Sequence, residues 1–290
     1  MMLAHEIPNG SKLYFGEAAK QKRFIERVAS DSLSENGFDE IVTPLFSYQQ
    51  HESISDEKML VRVNDTQNNH MSLRADSTLD VVRIIDKRLG ENTSHKKWFY
   101  VQAIYKYPST EQYQVGVEYI AENNLSVVLN EAVTIMDKLE VSPLLQLSNI
   151  NIPKIVTSML DLELDDFRHI NIDKMIELNV EWLKALIYLE KAEDIDGVIA
   201  IVPDAIKIEL QKLKELSAAV EYKNTVIAPL YYASMLYYDE LFFRMIEKND
   251  VYARGGRYKN DSNGNENDIL ISTGFAIYTD TLIEATKGKK

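Results

Sequence analysis

Residues Trp98 to Ile120 read WFYVQAIYKYPSTEQYQVGVEYI. Two runs rich in aromatic and β-branched residues, Trp98 to Tyr107 and Tyr113 to Ile120, flank a polar link that contains Pro108, Ser109 and Thr110, the pattern of a β-hairpin. Strand side chains alternate, so Tyr113, Val115, Val117 and Tyr119 fall on one face of the second run, and Gln114, Gly116, Glu118 and Ile120 on the other. Gln114 and Glu118 therefore point the same way. With a glycine between them leaving space above the sheet, they predict a floor for a small polar ligand that carries hydrogen-bond donors. The same pattern also suits an ordinary sheet with one solvated face.

Working outward toward the N-terminus, the run from Glu17 to Glu35 reads as a helix. Its apolar residues Phe24, Ile25, Val28, Ala29 and Leu33 recur at the 3.6-residue period, and Asn36-Gly37 supplies the stop. Phe38 to Phe46 reads as a strand whose Pro44 suits an edge or an interface. Met59 to Val63 and Met71 to Leu73 form a further strand pair around the polar loop Asn64 to His70. Arg74-Ala75-Asp76-Ser77-Thr78 then opens an apolar helical run through Val81, Val82, Ile84, Ile85 and Leu89. Two readings of this opening stand: Asp76 or Ser77 caps the helix, or Asp76 and Thr78 sit at the mouth of the sheet and accept from an ammonium group.

Toward the C-terminus, Leu125, Val128, Leu129, Ala132, Val133, Met136 and Leu139 mark an amphipathic helix, and Leu144 to Ile150 a strand. From 153 to 220 the chain has a single glycine, Gly197, and helical spacing such as Leu178, Trp182, Leu186 and Leu189. This span reads as a mostly helical insertion between 1–152 and 221–290. β character returns at Thr225 to Leu230, Met235 to Phe243 and Ile269 to Tyr278. Between the last two lie Arg254-Gly255-Gly256-Arg257-Tyr258 and the polar loop Lys259 to Asp268.

Composition limits the function classes. The 290 residues, 45% of them hydrophobic, suffice for one large core or a core with an insertion. No segment approaches the roughly 18 uncharged apolar residues of a membrane span, and no signal core opens the chain, so a cytoplasmic location is expected. Without cysteine there are no disulfides, thiolate chemistry or Cys-ligated metals. The five histidines, His5, His51, His70, His95 and His169, show no metal-ligand spacing. Gly255-Gly256 lacks the spacing of a dinucleotide fingerprint, and no P-loop occurs. With 32 basic and 45 acidic residues the net charge is −13, which disfavours nucleic acid and points to a small molecule or a protein as partner.

Motifs spread over most of the chain resemble the catalytic core of class II histidyl-tRNA synthetases, and within that family its ATP phosphoribosyltransferase regulatory-subunit branch. Gly37-Phe38-Asp39-Glu40-Ile41-Val42-Thr43-Pro44 is similar to motif 1, the dimer-forming strand. Leu73-Arg74-Ala75-Asp76-Ser77-Thr78 resembles the element whose acid and threonine hold the α-amino group of histidine. Tyr113-Gln114-Val115-Gly116-Val117-Glu118 resembles the motif 2 strand whose Gln and Glu line the histidine pocket. Tyr237-Tyr238-Asp239-Glu240-Leu241-Phe242-Phe243, Gly255-Gly256-Arg257-Tyr258 and Gly274-Phe275-Ala276-Ile277 are similar to the later strands and the start of motif 3.

The resemblance implies an α+β fold, a class II synthetase-like antiparallel sheet flanked by helices, with 153–220 in the place of the synthetase insertion. It implies a histidine pocket in which Asp76 and Thr78 take the α-ammonium, Gln114 the amino-acid backbone and Glu118 the imidazole, while Tyr238 and Tyr258 pack and hydrogen-bond around the ring. Lys106 and Thr281 stand where the family carries the arginines that hold ATP, and lysine cannot reproduce the planar bidentate fork. Ala233 lies near the place of a further substrate-binding arginine. The chain ends at Lys290, where an aminoacylating relative is expected to continue into an anticodon-binding domain. The expectation is a regulatory subunit with no catalytic residues, cofactor or metal. It would form a homodimer within a hetero-oligomer with the short-form ATP phosphoribosyltransferase catalytic subunit, activating it and relaying histidine feedback. An amino-acid-activating ligase and a scaffold with a vestigial pocket are the alternatives.

Overall fold

The computed structural model describes residues 6–48, 56–89, 93–233, 238–260 and 270–289. Among these, eleven strands, β1 (Asp39–Glu40), β2 (Phe46–Ser47), β3 (Arg62–Asn64), β4 (His70–Leu73), β5 (Lys97–Lys106), β6 (Thr110–Tyr119), β7 (Leu144–Asn149), β8 (Thr225–Ile227), β9 (Tyr238–Glu247), β10 (Asp250–Asn260) and β11 (Leu270–Tyr278), form two sheets. The large one has the order β1-β5-β6-β11-β10-β9-β7-β8, and the small one β2-β4-β3. The large sheet is antiparallel through its middle but parallel at both ends, where β1 runs with β5 and β8 with β7. The sheet is therefore mixed rather than wholly antiparallel, within the expected α+β class.

The helices are α1 (Gly16–Glu35), α2 (Thr78–Ile84), α3 (Leu125–Lys138), α4 (Asn151–Met159), α5 (Leu164–Arg168), α6 (Ile172–Glu177), α7 (Glu181–Ile187), α8 (Ile195–Ile199), α9 (Asp204–Ala218) and α10 (Thr279–Ala285). Helix α1 buries Ile25, Ala29 and Leu33 completely, an i, i+4, i+8 stripe. It ends where Gly37 takes φ +78°, a left-handed conformation open to glycine. The chain from 151 to 218 contains α4–α9 and no strand, and its buried residues, among them Phe167, Leu186 and Leu210, join one apolar cluster with α1, α3 and the sheet.

Two expectations are corrected. Phe38 to Phe46 is not one strand. Ile41 still donates its N–H to the Phe99 carbonyl at 2.8 Å, but pairing with the large sheet then stops and resumes at Phe46 in the small one. Proline has no N–H to continue a ladder. The buried guanidinium of Arg74 takes the freed carbonyls, donating to Thr43 at 3.1 Å and Pro44 at 3.2 Å. The hairpin link is also shorter than expected. Lys106 pairs with Thr110, so Thr110 to Gln112 belong to β6 and only Tyr107 to Ser109 turn.

Register gives the large sheet two unlike faces. Phe99, Val117, Phe275, Phe243 and Leu147 lie in one row across six strands, with Gly255 between Phe275 and Phe243. All five side chains belong to the apolar cluster under the helices, and burial of such a side chain stabilises by about 1.5–3 kcal/mol. On the opposite face the rows are polar and aromatic. Tyr100, Gly116, Ala276, Arg254, Arg244 and Gln146 form one, and Trp98, Glu118, Gly274, Gly256, Phe242 and Ser148 the next.

Candidate ligand site on the polar face

Arg74 also anchors the approach to α2. Its guanidinium donates to the Ala103 carbonyl at 3.1 Å, and its own carbonyl accepts from Tyr105 N–H at 2.7 Å. Residues 75–78 are thereby held against β5. Ser77 occupies the helix N-cap position but makes no capping bond through its side chain. Its hydroxyl instead accepts from Gln102 Nε2 at 3.0 Å, and Gln102 Oε1 accepts from Thr43 at 3.1 Å. Asp76 and Thr78 face the polar rows of the sheet. The Thr78 hydroxyl is in hydrogen-bonding reach of Glu118 and Tyr100, and the charge of Asp76 is felt at Tyr100, Lys106, Glu118, Tyr238 and Tyr278.

Glu118 is the centre of this arrangement and is 1% exposed. Tyr100 donates its hydroxyl to Oε1 at 3.2 Å, and Tyr258 donates to Oε2 at 2.6 Å. Burial pushes the carboxyl up to about 8, while the hydroxyls of Tyr258, Thr78 and Tyr100 pull the other way and the charge of Asp76 adds to the rise. Two glycines make the packing feasible. A Cβ on Gly274 would lie 2.3 Å from Glu118 Oε2 and 2.4 Å from the Val117 carbonyl. A Cβ on Gly116 would lie 2.0 Å from Tyr100 Cζ. The space above Gly116 is therefore filled by the Tyr100 ring and is not open to a ligand, which corrects the expectation drawn from the strand alone. Strand alternation could not show it, because the occupant comes from the neighbouring strand.

The remaining site residues converge on the same region. Gln114, 5% exposed, lies between Gln102 on β5 and Tyr278 on β11. Tyr238 stacks on Phe242 at a centroid distance of 5.9 Å and lies against Gly256, where a Cβ would be 2.9 Å from its ring. Burial raises the Tyr238 and Tyr258 hydroxyls well above the usual range and the Tyr278 hydroxyl above it, so all three stay protonated. Ala233 packs with Tyr238, Phe242 and Tyr258, and Tyr237 lies outside the described residues.

At the cationic end Lys106 is joined by Arg254, which no local sequence pattern marks. Arg254 lies with its Cζ 5.0 Å from the Tyr278 ring centre and hydrogen-bonds that residue. Lys106 is lowered by burial and by the Arg254 charge, with Asp76 opposing. A cavity of about 90 Å³ beside them is lined by Arg254, Arg244, Tyr231, Ala233, Tyr238 and Phe242. The face thus carries acids at Asp76 and Glu118 and cations at Lys106 and Arg254, which suits a small zwitterion. Thr281, by contrast, lies within 3.0 Å of the Val251 carbonyl and 2.9 Å of the Tyr278 carbonyl at the start of α10. Among the described residues no group of three or more acids and histidines could hold a metal ion.

An ion network ties this face to the helical segment. Arg257 pairs with Asp239 at 2.9 Å and Glu240 at 3.0 Å. Lys212 on α9 pairs with Glu240 at 2.9 Å and Glu209 at 3.0 Å. The strands carrying Tyr238 and Tyr258 are fixed to α9 by these contacts.

Residues 14–282 match the family model of histidyl-tRNA synthetase. The chain is 43% identical over 284 residues to an ATP phosphoribosyltransferase regulatory subunit of Wolinella succinogenes, covering 98% of this chain and 96% of that one. It is 37% identical to that of Helicobacter hepaticus, covering 98% and 99%. Among solved structures, an ATP phosphoribosyltransferase regulatory subunit/histidyl-tRNA synthetase from Bacillus halodurans superposes with TM-score 0.81 at 19% identity, over 99% of this chain and 85% of that one. A histidine–tRNA ligase subunit from Alicyclobacillus acidocaldarius gives 0.76 at 17%, over 98% and 99%. At these identities the structural likeness speaks to the fold, a class II synthetase fold.

Proposed function

We propose that this chain, which belongs to the histidyl-tRNA synthetase family and within it to the ATP phosphoribosyltransferase regulatory subunits, is a non-catalytic histidine sensor. It would assemble with the short-form catalytic subunit, activate it, and transmit feedback inhibition by histidine. The observation that carries the ligand part is the buried Glu118 carboxyl, ringed by hydroxyls and flanked by Asp76. Asp76 and Thr78 take the ammonium, Gln114 the amino-acid backbone, and Glu118 with Tyr258 the imidazole, while Tyr238 packs on the ring. A hydrogen bond between the imidazole and the Glu118 carboxyl contributes about 0.5–1.5 kcal/mol while that carboxyl holds its proton, and about 1.5–3 kcal/mol once it is ionised. We take 153–220 as an insertion into a core formed by 1–152 and 221–290.

Adenylation finds no support. Lys106 stands where the family's motif 2 arginine belongs, and the Thr281 hydroxyl is turned to backbone carbonyls. Neither residue supplies the planar bidentate fork with which an arginine grips a leaving pyrophosphate. A homodimer is supported by exposed apolar side chains around the motif 1 segment: Val42 at 81%, Phe46 at 50% and Tyr48 at 59%. Among the described residues no helix is long and apolar enough to cross a membrane.

The test is co-purification with a short-form ATP phosphoribosyltransferase, followed by assay with and without histidine. Stimulated activity that histidine suppresses supports the reading. Absence of a complex sinks it. One observation favours a scaffold with a vestigial pocket: Glu118 already has its acceptors occupied by the protein's own hydroxyls. Calorimetry with histidine, on the chain alone and in the complex, separates the two, since the scaffold gives no binding heat in either.

A further inference from the structure

A second cavity, of about 240 Å³, lies at the β7–β9 end of the polar face, between α5–α7 and the strands β7–β9. Its walls are largely apolar, with Phe167, Met175, Leu186, Leu189, Ile227 and Leu230 among them. It reaches solvent past Ile170 and Ile172, which are 57% and 41% exposed. The polar groups are Gln146, Tyr231, Arg244 and, at the mouth, the exposed Glu190.

Arg244 is the unusual one. Its Nε and Nη2 donate to Gln146 Oε1 at 3.1 and 2.8 Å, and its guanidinium lies 3.9 Å from the centre of the Tyr231 ring. Both partners are neutral. Among the described residues no carboxylate pairs with it, whereas Arg257, one strand away, pairs with both Asp239 and Glu240. A half-buried cation held in place by neutral groups at one end of an apolar cavity is complementary to a single negative charge on an apolar body. Glu190 at the mouth disfavours a dianion.

We propose that this cavity is a second ligand site, distinct from the Glu118 pocket although Arg244 and Tyr231 also line the small cavity beside that pocket, and that it binds a small monocarboxylate with a branched or aromatic tail. The carboxylate meets Arg244, and the tail lies among Phe167, Met175 and Leu186. The proposal does not depend on histidine being the ligand of the first site.

The experiment is ligand-observed NMR titration of the full chain with 3-phenylpropionate, alongside the neutral 3-phenylpropionamide. The expected result is saturable binding of the acid, with the amide weaker by at least about ten-fold because it forfeits the charge-assisted contact. Arg244→Met should weaken the acid by at least about ten-fold, and Ile187→Trp, at the cavity wall, should block it. Equal binding of acid and amide would overturn the proposal in the unmodified protein, whatever the variants do. So would indifference to Ile187→Trp, or no saturable binding of the acid.

Discussion

The two faces of the large sheet are made by the same strands, yet they obey different rules. On the helix-covered face Phe99, Val117, Phe275, Phe243 and Leu147 fill space against one apolar cluster, and any side chain of similar volume would serve nearly as well. On the polar face Tyr100, Glu118, Gly274 and Tyr258 depend on one another atom by atom. The first face stabilises by area removed from water, and the second holds a costly carboxyl in place through specific donors. Substitutions of comparable size should therefore separate stability from ligand binding according to the face they strike.

The largest effect is expected on the apolar face. Phe243 is fully buried, tilted against Phe275 at 6.5 Å. Phe243→Ala should cost about 3–5 kcal/mol in urea denaturation, with histidine affinity preserved wherever the protein is folded. A loss of affinity larger than the loss of stability would break the separation. Next comes Gly274→Ala, which places a methyl against the Glu118 carboxylate and the Val117 carbonyl. Neither can retreat cheaply, because one is backbone and the other is bonded to Tyr258. Overpacking of this kind costs about 1–3 kcal/mol, and here histidine binding measured by calorimetry should fall with it.

Glu118 supplies a pH test with a definite sign. Its carboxyl is raised from 4.5 to about 8 in the folded chain, chiefly by burial. The folded state therefore holds the proton more tightly than the unfolded one, and the resulting stabilisation is full below pH 4.5 and is lost as pH rises toward 8. Glu118→Gln has no such proton to lose. Denaturation curves from pH 5 to pH 8.5 should show the parent falling relative to the variant as pH increases, and the reverse slope would mean that the folded site favours the ionised form. Tyr258→Phe sharpens the point. It removes a donor that favours ionisation, so its cost should grow as pH rises through 8, reaching about 1–3 kcal/mol.

How much of this was readable beforehand follows from the range of each interaction. Alternation along a single strand placed Gln114 and Glu118 on one face, and the apolar spacing of Ile25, Ala29 and Leu33 set the buried side of α1. What fills the space over Gly116 was not readable, because it depends on the register between β5 and β6, which a turn two residues shorter than expected decides. Pro44 signalled an edge but not that the chain there leaves one sheet for another, since the compensating donor is Arg74, thirty residues on. Arg254 and Arg244 carry no local pattern at all. They meet the site only because β10 pairs with β11 on one side and β9 on the other.

The smallest predicted effect bears on Thr281. On the proposed reading Thr281 stands where relatives carry an arginine, so its role decides whether nucleotide handling is to be expected there. Its hydroxyl lies between the Val251 and Tyr278 carbonyls, where it fastens the start of α10 to the strand β10. Thr281→Val keeps the shape and removes the donor, which should cost about 0.5–1.5 kcal/mol, the net worth of one such hydrogen bond. Histidine affinity should stay unchanged, because the lost bond points at backbone and not at the polar rows. A variant as stable as the parent that bound histidine more weakly would move Thr281 from the scaffold into the pocket, and would show the contrast between the two faces to extend less far along β11 than the register implies.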